Sequence, residues 1–299
     1  MAISNVSNEV VFGEESTYGT LASTFTEQFG AIESFSYTEV ETIEQIGSVG
    51  SGHNPLRNEA GLYSVTGTLV TKPTKAALPR LLELFFGTRV DATDYTITDS
   101  IDVTSISAKA QHSLTQTAQI TGIVFTTISI DASKDGFASI SMDYIGQKLT
   151  VATETVSYTQ PTESLFSWLD IFGTYNSNSV EANTWAITGD WGIDAGQGRG
   201  IESVAAGSRR LIQRVIKNNL VLGGNVDLVV QDTNEMGYED EKTDRTMVLT
   251  MSRGTDNAHV FTLTGCQLDN KASEQTPEDG IKNFTADFVA LDISITGDL

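Results

Sequence analysis

Three histidines, one cysteine and a few glycine-rich strings are the places where chemistry could reside in this chain, and their spacing argues against it. His53, His112 and His259 lie far apart, and none stands at ligand spacing to another. Cys266 is the single cysteine. It allows no intrachain disulfide and no multi-cysteine metal cluster, and it reads as a small core residue. Gly196-Gln197-Gly198-Arg199-Gly200 has no strand–helix–strand unit around it, so it is not a dinucleotide fingerprint. Gly47-Ser48-Val49-Gly50-Ser51-Gly52 lacks the Lys-Ser/Thr ending of a phosphate loop. Asp131-Ala132-Ser133-Lys134-Asp135-Gly136 resembles half of a calcium loop but has no downstream glutamate. A turn between two strands accounts for it better. No cofactor or metal site is expected, and the chain does not read as an enzyme.

The elements that would position such residues are β-hairpins, and they repeat. Gly122-Ile123-Val124-Phe125 is followed by Asp135-Gly136 and then Phe137 to Tyr144. Gly265-Cys266-Gln267-Leu268 is followed by Asp279-Gly280 and then Ile281 to Phe288. Ile140, Met142 and Tyr144 match Phe284, Ala286 and Phe288 on one face, while Ser141 and Asp143 match Thr285 and Asp287 on the other. Alternation of this kind marks strands with one buried and one wet face. Upstream, Ala31 to Tyr37 is echoed by Ala186 to Ile193, Ile43-Glu44 by Ile201-Glu202, and Thr66 to Val70 by Asn225 to Val229, which sets Thr68 against Asp227. A repeated β-unit without a catalytic motif points to architecture.

Two segments have helical spacing. Lys75 to Phe86 carries Ala77, Leu78, Leu81, Leu82 and Phe85, with Thr74 as N-cap and Gly87 as stop. Glu163 to Phe172 carries Leu165, Phe166, Leu169 and Phe172. The break at Gln160-Pro161-Thr162 divides the chain into residues 1–160, a first β domain, and 161–299, a second. Met1 to Gln28 is weakly periodic and is expected to dock on a neighbour. Gly47 to Arg57 and Arg199 to Lys217 occupy equivalent places in the two copies. The second loop holds Arg199, Arg209, Arg210, Arg214 and Lys217, five of only 18 basic residues. The loop Asn234 to Arg245 is acidic, with Glu235, Glu239, Asp240, Glu241 and Asp244. A basic and an acidic loop on one chain invite head-to-tail contact between copies.

The formal net charge is −21. Duplex DNA carries about one negative charge per 1.7 Å of axis, so a surface this acidic should repel it, which argues against a sequence-reading DNA binder. It suits a surface that DNA passes without sticking, and it also favours solubility. No apolar run approaches the roughly 20 residues of a spanning helix, and the N-terminus lacks the order of a signal peptide.

Phe12-Gly13-Glu14-Glu15-Ser16-Thr17-Tyr18-Gly19-Thr20 resembles the opening of tail tube (major tail) proteins of long-tailed viruses of bacteria and archaea. Leu62 to Thr71, Ala77 to Gly87 and the hairpin Gly122 to Gly146 continue in a similar order. The resemblance implies a mainly β chain of tandem sandwich-like, tube-forming sheets with short helices. Several chains would join into a large β-barrel ring, and stacked rings would pass viral DNA. It implies as partners the chain itself, other tail proteins and DNA in transit, without membrane insertion. It places the protein in the virion tail after assembly in the host cytoplasm.

On this reading the wet faces line the channel: Thr68, Ser129, Asp131, Ser139, Ser141, Asp143, Asp227, Thr285 and Asp287. Arg209, Arg210, Arg214, Lys217, Glu239, Asp240 and Glu241 make contacts between rings. With four strands per copy and six copies, about 24 strands at roughly 4.8 Å and about 40° tilt give a circumference of about 150 Å, or a diameter of about 48 Å. Three duplicated chains supply six copies, so a trimer is favoured over a hexamer. The competing reading is an adhesive or carbohydrate-binding β-sandwich module. That module would expose aromatics, whereas Trp168, Trp185 and Trp191 sit in core-like patterns.

Overall fold

The computed structural model describes residues 9–46, 57–92, 94–101, 103–113, 115–158, 162–166, 170–175, 178–193, 199–201, 210–212, 214–230, 244–252, 258–275 and 282–298. The first half runs β1 (Val10–Glu14), β2 (Ala31–Phe35), β3 (Thr38–Ile46), β4 (Arg57–Lys72), α1 (Ala77–Phe86), β5 (Arg89–Asp91), β6 (Asp94–Thr98), β7 (Ile106–Gln111), β8 (Thr117–Ser133), β9 (Ser139–Gly146) and β10 (Lys148–Ala152). The second half runs β11 (Asp170–Tyr175), β12 (Asn178–Asp190), β13 (Arg199–Ile201), β14 (Arg210–Ile212), β15 (Val221–Val230), β16 (Arg245–Ser252), β17 (His259–Gln275), β18 (Lys282–Ala290) and β19 (Asp292–Asp298). The expectation of a mainly β chain holds. Among the described residues β11 pairs with β12 as well as β16, so the second half's two sheets join in a circuit β11–β12–β15–β18–β17–β16, while the large ring barrel is not formed by one chain's described strands.

Each half packs two sheets on one core. In the first, a covering sheet β1–β7–β8–β10 lies over a main sheet β3–β4–β9–β8, with β2 also beside β4. Phe12 of β1 meets Phe35 of β2 edge-on at 5.5 Å, and Phe35 stacks on Tyr144 of β9 at 5.5 Å. The second half follows the same order: covering sheet β11–β16–β17–β19 and main sheet β12–β15–β18–β17.

β8 and β17 each serve both sheets, and a bend makes this possible. The bends fall at Gly122 (φ 67) and Gly265 (φ 64), in the left-handed region that glycine adopts without penalty. A Cβ on Gly122 would come within 2.6 Å of Gln147 Cβ, and one on Gly265 within 2.9 Å of Leu291 Cβ. Beside the bends, Gln147 N donates to Thr121 O at 2.8 Å and Leu291 N to Thr264 O at 2.9 Å.

A second pair of glycines fixes the register of the repeat. Gly67 pairs with Tyr144 and Gly224 with Phe288. A Cβ on either would sit 2.7 Å from that ring's Cζ and overlap a carbonyl, Ser36 O in one half and Ala186 O in the other. Thr68 therefore corresponds to Asn225 rather than Asp227, and Ser36, not Ala31, corresponds to Ala186. A slip of two residues along a strand leaves every side chain on its face, so alternation could not detect the first displacement.

The two main sheets are continuous. Residues Thr127 to Ser133 of β8 pair antiparallel with Asp190 to Thr184 of β12. The result is one antiparallel sheet ordered β3–β4–β9–β8–β12–β15–β18–β17. Over its core face at this seam lies α1, where Gly189 lets the Phe85 ring approach. α1 starts as its sequence requires: Ala77 N donates to Thr74 Oγ1 at 3.3 Å. Gly87 (φ 133) stops it, donating its N–H to Glu83 O at 3.0 Å. Lys217 Nζ and Trp191 Nε1 both donate to Phe85 O at 2.8 Å, so the second half caps the first half's helix.

Two expectations are corrected. Glu163 to Phe172 is not a helix among the described residues. Leu165 bridges Thr74, Phe166 N donates to Pro73 O, and Asp170 opens β11. A short apolar run has no period long enough to separate helix from strand. Nor does the N-terminal segment dock elsewhere from Glu9 onward. β1 pairs with β7, and Val10 and Phe12 are buried in the chain's own core.

Candidate functional site

The nine residues expected on a wet face all lie on one face of the continuous main sheet. Thr68 pairs with Asp143, Ser141 with Ser129, Ser139 with Asp131 and Asp227 with Thr285. β12 then carries the face from one half to the other through Asp131↔Ala186↔Asn225↔Asp287. Neighbouring positions point into the core: Ile128, Ile130, Met142, Tyr144, Trp185, Ile187, Val226, Ala286 and Phe288 are buried.

The face is acidic and hydroxyl-rich. Asp143 is exposed and accepts from Thr68 Oγ1 at 2.6 Å and Thr127 Oγ1 at 2.9 Å. Those bonds hold the carboxylate in place without cancelling its charge. Ser129 Oγ donates to Asp131 Oδ2 at 3.1 Å. Asp287 stands directly opposite Asp269 on β17, and both are exposed. Asp227 is half-buried, and among the described residues its Oδ1 has no hydrogen-bond partner. A groove of ≈ 390 Å³ crosses the β8–β12 seam on this face, lined by Thr127, Ser129, Asp143 and Asp190 and, at one end, by the apolar Val221 and Val289.

The two ends of the sheet form a second feature. β2 and β3 have β4 on one side, and among the described residues no strand on the other. Residues Gln267 to Gln275 of β17 pair with β18 and likewise have no second neighbour there. Open edges of this length offer rows of backbone donors and acceptors to another chain.

The residues expected between rings divide. Lys217 is buried: its ammonium donates to Phe85 O and lies 4.6 Å from the Trp191 ring. It is therefore spent inside the subunit, and that expectation is corrected. Arg214 is exposed, and Arg210 lies in β14. Arg209, Glu239, Asp240 and Glu241 lie outside the described residues.

The potential chemistry is spent on structure. His112 Nδ1 meets Tyr37 Oη at 3.0 Å, whereas buried His259 meets Tyr95 Oη at 2.7 Å. Burial lowers the His259 pKa to about 4 and raises the Cys266 thiol to about 11. His53 lies outside the described residues, as does Trp168. Trp185 and Trp191 are buried, which removes them as a sugar-binding platform. No cluster of three or more His, Cys, Asp or Glu among the described residues is placed to hold a metal ion. No described helix is long and apolar enough to cross a membrane.

One residue escaped the sequence reading. Glu15 is buried and accepts from Gly19 N, Ser105 Oγ, Ser107 Oγ and Gly122 N at 2.7 to 2.8 Å. It ties the opening string to the bend of β8. Its place inside Glu14-Glu15-Ser16-Thr17-Tyr18-Gly19 was the available signal.

A mainly β chain with a long acidic sheet face and open sheet ends fits the class of structural proteins. The sequence model of the phage tail tube protein family matches residues 7–297. The chain belongs to that family, and it is a structural component of the virion tail. No curated protein matches it.

Proposed function

We propose that three chains close edge to edge into a ring, that rings stack into the tail tube, and that viral DNA is ejected through the channel. The observation that carries this reading is the seam between β8 and β12. It joins the last strand of one four-strand unit to the first of the next. β17 stands in the second half where β8 stands in the first, and β2–β3 stand where β12 stands. Pairing β17 of one chain with β2–β3 of the next therefore repeats within the ring a contact the chain already makes internally. Three chains then give about 24 strands, the number that accommodates a duplex. The open edges disappear on closure.

The acidic face of the main sheet lines the channel. Phosphate is held off the wall by like charge over a screening length of about 8 Å. Exposed Arg214 and the acidic segment with Glu239, Asp240 and Glu241 carry contacts between stacked rings. Assembly takes place in the host cytoplasm.

Native mass measurement tests the stoichiometry: three chains per ring are expected, and six would overturn it. Asp143→Lys with Asp287→Lys should leave the melting temperature within a few degrees of the parent and slow DNA ejection. Unchanged ejection would remove the channel assignment. Arg214→Glu should raise the concentration needed for tube growth while rings still form.

A further inference from the structure

The second half carries an exposed apolar patch that the first half does not. Val221 is 67% exposed, Val289 54% and Leu291 75%. They surround a cleft of ≈ 340 Å³ with Leu220, Gly265 and Ala290. Exposed apolar side chains gathered at one spot mark a contact surface.

The repeat shows what covers such a patch. By register, Gln267, Val289 and Leu291 correspond to Val124, Ile145 and Gln147, because Val124 pairs with Ile145 as Gln267 pairs with Val289. In the first half these positions are sheltered. Val124 is 1% exposed and Gln147 8%. The shelter comes from the second half, from the connection between β12 and β15. Ile212 and Val215 pack on Val124, with Ile193 and Ile145 beside them. Gln147 Nε2 donates to Ile212 O at 2.5 Å, and β14 bridges β4 at Arg210↔Leu62.

Each half thus receives its cover from the unit that follows it across the seam, and the second half has no following unit within the chain. The equivalent connection in a following chain is the one between β3 and β4. Its strands overhang the main sheet: residues 57–63 of β4 pair with β3, whereas β9 pairs with β4 only from Val65 onward.

We propose that the Val221–Val289–Leu291 patch is the seat for the β3–β4 hairpin arm of the next copy of this chain. This rests on the ring reading above and adds a second contact to each strand-to-strand joint. The arm locks the joint at the end of the main sheet's polar face, as Ile212 and Val215 lock the internal seam. The contact is head to tail, so it gives a ring direction without any further component.

Two variants test it. Val289→Asp with Leu291→Asp breaks the seat at exposed positions, so the monomer should melt as the parent does. Replacing residues 43–60 by Asn-Gly shortens the arm and keeps a tight turn. Each alone should raise the concentration for ring formation by roughly 30-fold or more, the effect of losing a buried apolar anchor. Leu291→Met should assemble as the parent does. Mixed together, the two variants should give a heterodimer and no larger species. One chain keeps its seat, the other its arm, and only one joint can form. The proposal is overturned if either variant alone assembles at the parent's concentration, or if the mixture yields no heterodimer. A parent chain that stays monomeric at every concentration would instead overturn the ring itself.

Discussion

β8 and β17 are each 17 residues long, each bends at a positive-φ glycine, and each passes from a covering sheet into the main sheet. They differ in company. The second part of β8 lies between β9 and β12, while the corresponding part of β17 has, among the described residues, only β18. The same contrast appears on the surface, where Gln147 is buried and Leu291 is 75% exposed. One unit of the pair is finished by its successor, and the other is left as a starting point. A chain built this way has a direction, and the proposed ring of three would satisfy every unit alike.

The comparison breaks most forcefully at the paired glycines. Gly67→Val and Gly224→Val should each destabilise by about 3 kcal/mol or more in thermal or urea unfolding, because the added carbons have a carbonyl and an aromatic ring to displace. Similar losses are expected if the two positions are equivalent. A harmless Gly224→Val would remove the register on which the correspondence stands.

Next comes the contact that has no counterpart in the repeat. β6 of the first half extends the second half's covering sheet by pairing with β19, and His259 bonds Tyr95 behind it. Among the described residues His259 Nε2 has no hydrogen-bond partner. The folded chain holds this imidazole neutral down to about pH 4, whereas the unfolded chain protonates it near its ordinary value of 6.5. Between those values the unfolded state binds the extra proton. Stability is therefore full above about pH 6.5 and falls as the pH drops towards 4, by up to about 3 kcal/mol. His259→Gln should flatten the unfolding profile over that window while lowering the plateau. An unchanged slope would place the acid sensitivity elsewhere.

A smaller effect is expected at the cap of α1. Lys217→Met keeps the packing on Trp191 and loses the bond to Phe85 O. The cost should be about 1 to 2 kcal/mol in chemical unfolding, with Trp191 still donating to that carbonyl. The smallest belongs to the polar face. Asp143→Asn should change stability by about 0.5 kcal/mol or less, since the site is exposed and its threonine donors can turn to water. A large loss there would mean that the acidic face serves the fold more than the channel.

Much of this was local enough to be written along the chain. Alternation placed Asp143, Ser141, Ser129 and Asp131 on one face because side chains on a strand have a period of two, whatever lies beside it. Thr74 and Gly87 bounded α1 because caps act within a turn. The sequence match between Gly122 and Gly265 was likewise visible, since both bends demand the same residue. Alternation could not count strands across a seam, and it was blind to a slip of two, which is why Thr68 was set against Asp227 instead of Asn225. Tertiary structure alone decided that β8 joins β12, that Glu15 holds the bend of β8, that Lys217 points inward to Phe85, and that Leu165 to Asp170 give bridge and strand instead of helix. Each of these depends on a partner tens of residues away, selected by whichever arrangement satisfies buried donors and fills the core. Local spacing carries no record of that selection.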